Sequence, residues 1–333
     1  MQATTPGLEE LMASNAPLSM SGAEQDRRAI LVRAAWLYYK DHLTQAEIAE
    51  RLFVSRATVG RLLDAARDQG IVRFEISADH LAAFELSVQL RDRYGLGDAI
   101  VVPRGAGTET SRRTNERVAA AGAEYIKRFL KPGAVIGVGW GDTVTRVLLG
   151  LSRDSLEGVT IATVAGGINV YTRQVSALST NGVNEHLRLI PAPLIASSAS
   201  IAAALRQDAS VTSVLELAEG AVATLTSIGS SKSAASSVRS GLFSQDQVDE
   251  FRAMGAVGDM LGEWFDSAGT ALVGAASDRK IGMSINQLRD MPNVIGVAGG
   301  LDKLAAIAGA LRGGYLDVLV TDEAVAELLL VGG

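Results

Sequence analysis

Apolar positions follow two rhythms along the chain. From Arg27 they recur with helical spacing, and Ile30, Leu31, Ala34, Ala35, Leu37 and Tyr38 form one stripe that stops at the polar run Lys40, Asp41, His42. Thr44 and Glu47 then stand at the spacing of a capping box, which predicts a helix from Gln45 to about Leu52 with Ile48, Ala49 and Leu52 inward. Ser55 can cap a second helix whose buried side carries Val59, Leu62, Leu63 and Ala66, with Gly70 just past its end. The run IVRFEI (71–76) alternates apolar and polar residues, as a half-buried strand does. Three helices and a strand describe a winged helix-turn-helix over 27–76. Residues 1–26, of which 1–24 are rich in Pro, Gly, Ser and Thr, are expected to form a flexible arm ahead of it. Residues 77–97 give one further helical pattern, a linker helix with Leu81, Phe84 and Val88 along a side that Arg91 and Tyr94 can extend and that suits a partner subunit.

From Ala99 the rhythm changes. Short apolar runs at 99–103 (AIVVP), 134–141 (AVIGVGWG), 159–167 (VTIATVAGG), 187–193 (LRLIPAP), 294–300 (VIGVAGG) and 317–322 (DVLVTD) predict strands buried on both faces. Helical patterns lie between them, for example over 113–130, 143–151 and 302–313. Strand alternating with helix predicts an α/β domain over 98–333 with a mostly parallel sheet.

Composition sharpens this picture. The 333 residues leave room for two or three domains, and with 47% hydrophobic but only 5% aromatic residues the core must consist of Ala, Val, Leu and Ile. The absence of cysteine excludes disulfides, thiolate catalysis and cysteine zinc sites, and no metal or cofactor is expected. No apolar run approaches the roughly 18 residues of a membrane span. The opening stretch, with Glu9, Glu10, Glu24 and Asp26, lacks an apolar signal core, so a soluble cytoplasmic protein is expected.

Net charge is 31 − 37 = −6, which by itself argues against a nucleic-acid partner. Residues 27–76, however, hold nine Lys and Arg against six Asp and Glu, giving +3 there and −9 elsewhere. The positive charge is confined to the module that would meet DNA. On its second helix the outward set is Ser55, Arg56, Thr58, Gly60 and Arg61, while Thr44 and Gln45 open the first helix. Arginine can take guanine bidentately, threonine can touch a thymine methyl or a phosphate, and Gly60 lets the backbone come close to the groove. Any one of these arginines could simply be solvated; the whole unit is what points to DNA. Phe53 occupies the turn position that such units usually fill with Gly.

A second cluster lies at the ends of the expected strands. In GVGWGDT (137–143), Gly139 and Gly141 permit close approach to a helix N-terminus and Thr143 adds a hydroxyl, a combination that suits a phosphate or a carboxylate. Asp142 opposes an anion directly beside it unless it caps the helix or binds hydroxyls. Trp140 reads equally as an apolar lid or a core residue. The pairs Gly166–Gly167 and Gly299–Gly300 also follow strands, where open α/β sheets bind ligands, with Lys303 near the second. Asp259, after Gly258, suits an acceptor for sugar hydroxyls.

Taken in order, AWLYYKDHLTQAEIAERLFVSRATVGRLLDAARDQGIVRFEI, VVP, GVGWGDT, VAGGIN, PAPLIASS, GAVGDMLGEWFD and VAGGLDKLAAIAGALRGGYLDVLVTD resemble the SorC family of bacterial sugar-responsive regulators, over nearly the whole chain from about residue 27. That resemblance implies a helix-turn-helix joined to a larger domain similar to sugar-phosphate isomerases, which binds a phosphorylated sugar or polyol and assembles as dimers or tetramers. It implies that Gly139, Trp140, Gly141, Asp142 and Thr143 cradle the effector, with Thr143 on its phosphate or a nearby hydroxyl. Gly166, Gly167 and Gln174 would line the wall, Asp259 would hold hydroxyls, and Lys303 would pair with the anionic end. Ser197 and Ser198 are weaker candidates, and Asp322 fits a role in closing the fold. The partners implied are double-stranded operator DNA, the effector and further copies of the chain. The expected function is an allosteric regulator, a repressor first, of a carbohydrate operon.

The alternative is an isomerase-like enzyme carrying a DNA-binding module. His42, His80 and His186 do not suggest a catalytic cluster, and likeness of fold does not transfer an activity. His186 suits a local backbone contact better than a ligand role.

Overall fold

Helix α1 spans Gly22–Tyr39 and so starts ahead of Arg27, inside the stretch expected to be an arm; Ala23, Glu24 and Gln25 are strong helix formers and carry the helix back. The computed structural model describes residues 22–73, 78–105, 110–167, 178–232, 238, 243–274 and 277–332, which fall into two units divided after Ile76. In the first unit α1 is followed by α2 (Gln45–Leu52) and α3 (Arg56–Asp68). The capping box at α2 is reciprocal: Glu47 N–H donates to Thr44 Oγ1 at 3.3 Å and Thr44 N–H to Glu47 Oε2 at 2.7 Å. Ser55 caps α3 by accepting from Thr58 N–H at 3.1 Å. Ala34, Leu37, Ile48, Ala49, Val59 and Leu63 form the core between the three helices.

The strand expected from Ile71 does not start over 71–73. Gly70 takes φ 65° past the end of α3, Ile71 N–H returns to Ala66 C=O at 2.9 Å, and Ile71 and Val72 pack on Leu31, Ala35 and Ala66. Their apolar character serves the helix end instead of a pleat. Phe74, Glu75 and Ile76 lie outside the described residues, as does the arm up to Ser21.

The second unit is a doubly wound α/β sandwich. Its strands are β1 (Asp98–Val102), β2 (Val135–Val138), β3 (Thr160–Thr163), β4 (Leu187–Arg188), β5 (Ala223–Ser227), β6 (Gly229–Ser230), β7 (Gly258–Met260), β8 (Glu263–Phe265), β9 (Val294–Val297) and β10 (Val318–Asp322). Its helices are α4 (Ala78–Tyr94), α5 (Ser111–Ile126), α6 (Asp142–Leu149), α7 (Val183–His186), α8 (Ala199–Gln207), α9 (Ala209–Glu219), α10 (Gln245–Ala253), α11 (Ile285–Arg289), α12 (Leu304–Arg312) and α13 (Glu323–Val331). Seven strands pair in parallel in the order β1-β10-β9-β5-β2-β3-β4, and β6, β7 and β8 form a small antiparallel sheet. One face of the large sheet buries Val118, Ala123, Val144 and Val147 of α5 and α6 against Ile136, Val138, Ile295 and Val320. The other face takes Leu90, Ala218, Ile307 and Leu329 of α4, α9, α12 and α13.

Strand β5, at the centre of the sheet, has no counterpart among the expected strands. Thr224 and Thr226 break its apolar run, yet both are buried. Helix α4 buries Ala83 and Leu90 against the sheet, whereas Leu81 and Phe84, on the side expected to suit a partner subunit, are exposed. Two apolar stripes compete on α4, and polar contacts fix the outcome. Val101 N–H donates to Ser87 Oγ at 3.0 Å and Tyr94 O–H to Leu329 C=O at 3.0 Å.

Asp322, at the end of β10, is 4% exposed and holds two separate groups. Its Oδ2 accepts from Gly300 N–H at 2.7 Å and its Oδ1 caps α13 at Val325 N–H, 3.2 Å. Asp322→Ala should therefore lower stability by about 2–4 kcal/mol, summing a lost cap and a buried charged hydrogen bond. Urea unfolding checks this, and a loss below about 0.5 kcal/mol would contradict the role, given the same magnitudes.

Candidate functional site

The order of the large sheet reverses between β2 and β5, because the chain runs outward from β2 through β3 and β4 and then returns to β5. Turns that leave neighbouring strands in opposite directions open a crevice at the carboxyl ends. After β2, Gly139 N–H still pairs with Leu225 C=O at 2.8 Å, and Ser227 Oγ–H donates to Trp140 C=O at 2.7 Å. The β2–α6 and β5–β6 turns are thereby tied together.

Packing within the chain favours glycine at 139 and 141: an added Cβ would overlap the end of the Leu261 side chain at Gly139 and the Ser227 side chain at Gly141. Helix α6 starts at this turn without a side-chain cap, which leaves its first amides without a side-chain partner there. Thr143 in that first turn is 2% exposed. Asp142 is exposed and paired with Arg146 at 2.8 Å, which offsets its charge next to the helix start. Trp140 is half-buried and packs on the α5–α6 core.

The β7–β8 hairpin brings Asp259 to the same place. Asp259 pairs in register with Gly229, whose missing side chain leaves room for the carboxylate, and it accepts from Gly262 N–H. Leu261 and Gly262 make the turn at φ 53° and 77°. The hairpin is anchored from behind, where buried Lys280 Nζ pairs with Glu263 Oε1 at 2.7 Å and Glu263 Oε2 accepts from Ile285 N–H at 3.0 Å. Lys303 sits at the start of α12, where the Gly299–Gly300 turn is held by Asp322. Its ammonium feels Asp302 of its own turn together with Asp142 and Asp259, so residues from three separate turns meet electrostatically at one spot. Burial pushes the Asp259 carboxyl up to about 6, with the Lys303 charge and the Gly262 amide opposing the rise. Burial likewise lowers Lys303, against the pull of its three acidic neighbours.

Other expected site residues lie differently. Gly166 N–H donates to Ile281 C=O at 3.0 Å and Gly167 N–H to Ala192 C=O at 2.8 Å, so these amides stitch the fold and are not ligand donors. Gln174 lies outside the described residues. Ser198 caps α8 through Ile201 N–H at 3.2 Å, and His186 Nδ1 bonds Val159 C=O at 2.9 Å. Three residues of these turns carry no expectation from the sequence: Ser227, Leu261 and Ser230, whose Oγ–H donates to Asp302 C=O at 2.7 Å and steadies the Lys303 turn. The run TSIGSSK (226–232) was the signal, a strand end followed by Gly and serines. Among the described residues no cluster of His, Asp and Glu is arranged to hold a metal, and no helix is long and apolar enough to cross a membrane.

In the first unit Arg56 and Arg61 are exposed and form no ion pair among the described residues. Thr58 is half-buried and already bonded to Ser55 Oγ at 2.8 Å and Arg61 Nη2 at 3.4 Å. Gly60 has open space where a Cβ would stand, so the fold of this unit does not require glycine there. Thr44 and Gln45 open α2, Thr44 being committed to its capping box.

Comparison with known proteins agrees with this division. A family model described as a sugar-binding domain matches residues 79–331, and a MarR family model matches residues 34–81. The transcriptional regulator LsrR of Escherichia coli (strain K12) is 35% identical over 305 residues, 90% of this chain and 94% of that protein. The deoxyribonucleoside regulator of Bacillus subtilis (strain 168) is 30% identical over 312 residues, 92% of this chain and 99% of that protein. The crystal structure of the full-length sorbitol operon regulator SorC from Klebsiella pneumoniae superposes with a TM-score of 0.68 at 28% identity, covering 91% of this chain and 98% of that one.

The raised Asp259 carboxyl has a consequence for stability. Folded, it keeps its proton up to about pH 6, while its ordinary value is 3.8. Between those values the folded state binds the extra proton, so stability should fall as pH rises across that window, by about 1–3 kcal/mol in total. Asp259→Asn should flatten this slope in chemical unfolding measured from pH 4 to pH 7. An unchanged slope would show that Asp259 is not desolvated.

Proposed function

The chain belongs to the SorC/LsrR-like family of sugar-binding transcriptional regulators, and from that premise we propose that it represses a carbohydrate uptake or catabolism operon until a phosphorylated sugar or polyol releases it. Being a transcriptional regulator and not an enzyme, it needs from its sheet domain only binding that differs between two states. The reading rests chiefly on one juxtaposition, the uncapped start of α6 beside Asp259 and Lys303 at the carboxyl ends of β2 and β5. The helix start and Lys303 suit an anionic group; Asp259 suits sugar hydroxyls, which a carboxylate accepts from in pairs. Asp142, neutralised by Arg146, no longer opposes the anion.

On the DNA side, α3 enters the major groove with Arg56 and Arg61 reading bases and Ser55, Thr58 and Gly60 shaping the approach. Thr44 and Gln45 at the start of α2 meet the phosphate backbone. Two such units on a dimer or tetramer grip a pseudo-palindromic operator in the cytoplasm. The exposed apolar residues Leu81 and Phe84 on α4, and Val32 and Trp36 on α1, support assembly of this kind.

A thermal-shift panel of sugars, polyols and their phosphates tests the effector half. A compound at 100 times its Kd stabilises by about 2.7 kcal/mol. A shift given by one sugar phosphate, not by its unphosphorylated parent, and lost in Lys303→Ala is the expected result; an equal shift in that variant removes Lys303 from the site. For the DNA half, Arg56→Ala should weaken operator binding by about 1–3 kcal/mol and relax base preference. Equal losses on operator and on random duplex would show that Arg56 contacts phosphate only.

A further inference from the structure

The turn between α2 and α3 combines two features that the fold of the unit does not need together. Phe53 ends α2 in the left-handed region, at φ 56° and ψ 42°, which side chains other than glycine avoid because their Cβ crowds the next carbonyl. The left-handed step itself is required: it lets Phe53 N–H reach Glu50 C=O at 3.3 Å and Val54 N–H reach Ala49 C=O at 3.0 Å, which closes the helix. The apolar contact that usually accompanies such an ending is made by Val54, which packs on the Ala34–Leu63 core. The ring of Phe53 takes part in neither. It is 95% exposed and has no ring contact among the described residues. Folding of this unit alone would favour glycine here, so the phenylalanine answers to something outside it.

Its position indicates what. Phe53 lies two residues before Ser55, the N-cap of α3, and between the exposed Arg51 and Arg56. The first turn of α3 is the part presented to the groove, and the flanking arginines suit the phosphates at its rim. We propose that Phe53 is a DNA-contacting residue whose ring lies on apolar carbons at the groove wall, a deoxyribose face or a thymine methyl, beside the bases read by α3. The contact is uncharged, so it adds affinity and local preference without adding a released counterion. This assignment rests on the DNA-facing orientation of α3.

The test uses the full-length chain and a duplex enriched from a random-sequence pool by the unaltered protein, with binding followed by fluorescence anisotropy across a series of KCl concentrations. Phe53→Gly keeps the left-handed turn, so its circular dichroism should match the parent and its melting temperature should be no lower. Its affinity should drop about tenfold, the order expected for an apolar ring left without its contact. The slope of log affinity against log salt should stay the same. Phe53→Leu should recover part of the loss. Replacing flanking thymines by uracil separates the two contacts: a penalty in the parent that is absent in Phe53→Gly identifies the methyl, and no penalty identifies the sugar. Binding by Phe53→Gly within twofold of the parent would overturn the proposal, and Arg56→Ala measured alongside then tells whether the orientation of α3 fails with it. A change in oligomeric state on gel filtration of Phe53→Gly would also overturn it, by assigning the ring to a subunit contact.

Discussion

Strands β2 and β5 are neighbours in space but their turns leave in opposite directions, and the closeness of those turns governs the rest of the sheet domain. Ser227 donates to Trp140 C=O across the divide, and Gly141 must lack a side chain to let it. Leu261, from the β7–β8 hairpin, then lies over Gly139 and carries Asp259 with it. The crevice is thus a by-product of strand order, while its chemistry is imported by a hairpin and by the Lys303 turn. Asp322 secures the latter turn by accepting from Gly300 while it caps the last helix. One crowded junction ties α6, the hairpin and α12 into a single site.

Charge is distributed by the same economy. The chain as a whole is acidic, with a net charge of −6, and its positive surplus of +3 falls between Arg27 and Ile76. An acidic sheet domain is repelled by DNA, so non-specific affinity is held down and binding is confined to the small helical unit. Within the crevice the balance is reversed in purpose: Lys303 is one cation among Asp142, Asp259 and Asp302. A purely cationic pocket would hold any phosphate. On the proposed function, a lysine set among carboxylates favours a ligand that brings hydroxyls together with its anion.

The helix-turn-helix was legible because its signals are local. Thr44–Glu47, Ser55 and Gly70 act within one turn of their own helix, and each does in the structure what its spacing implied. The alternation of strand and helix after Ala99 was equally plain; that the turns carrying Asp142, Asp259 and Lys303 come together is a finding of the structure. What escaped depends on distant packing. Strand β5 is written with threonines that only a fully buried central position makes intelligible. Ile71 and Val72 open a run that alternates like a strand but fold onto a helix end. The amides of Gly166 and Gly167 are used by Ile281 and Ala192, a pairing across distant segments that no local spacing announces.

On the proposed function, occupancy of the crevice changes the affinity of the helical unit for DNA. The most direct measurement titrates sugar phosphates, and their unphosphorylated parents, into a preformed complex of the full-length protein with labelled operator, followed by anisotropy at fixed salt. Coupling between two such sites amounts to roughly 5–150-fold in affinity. The account predicts that one phosphorylated sugar or polyol releases the operator within that range and that its parent does not. A compound that demonstrably binds the sheet domain yet leaves operator affinity unchanged would contradict it.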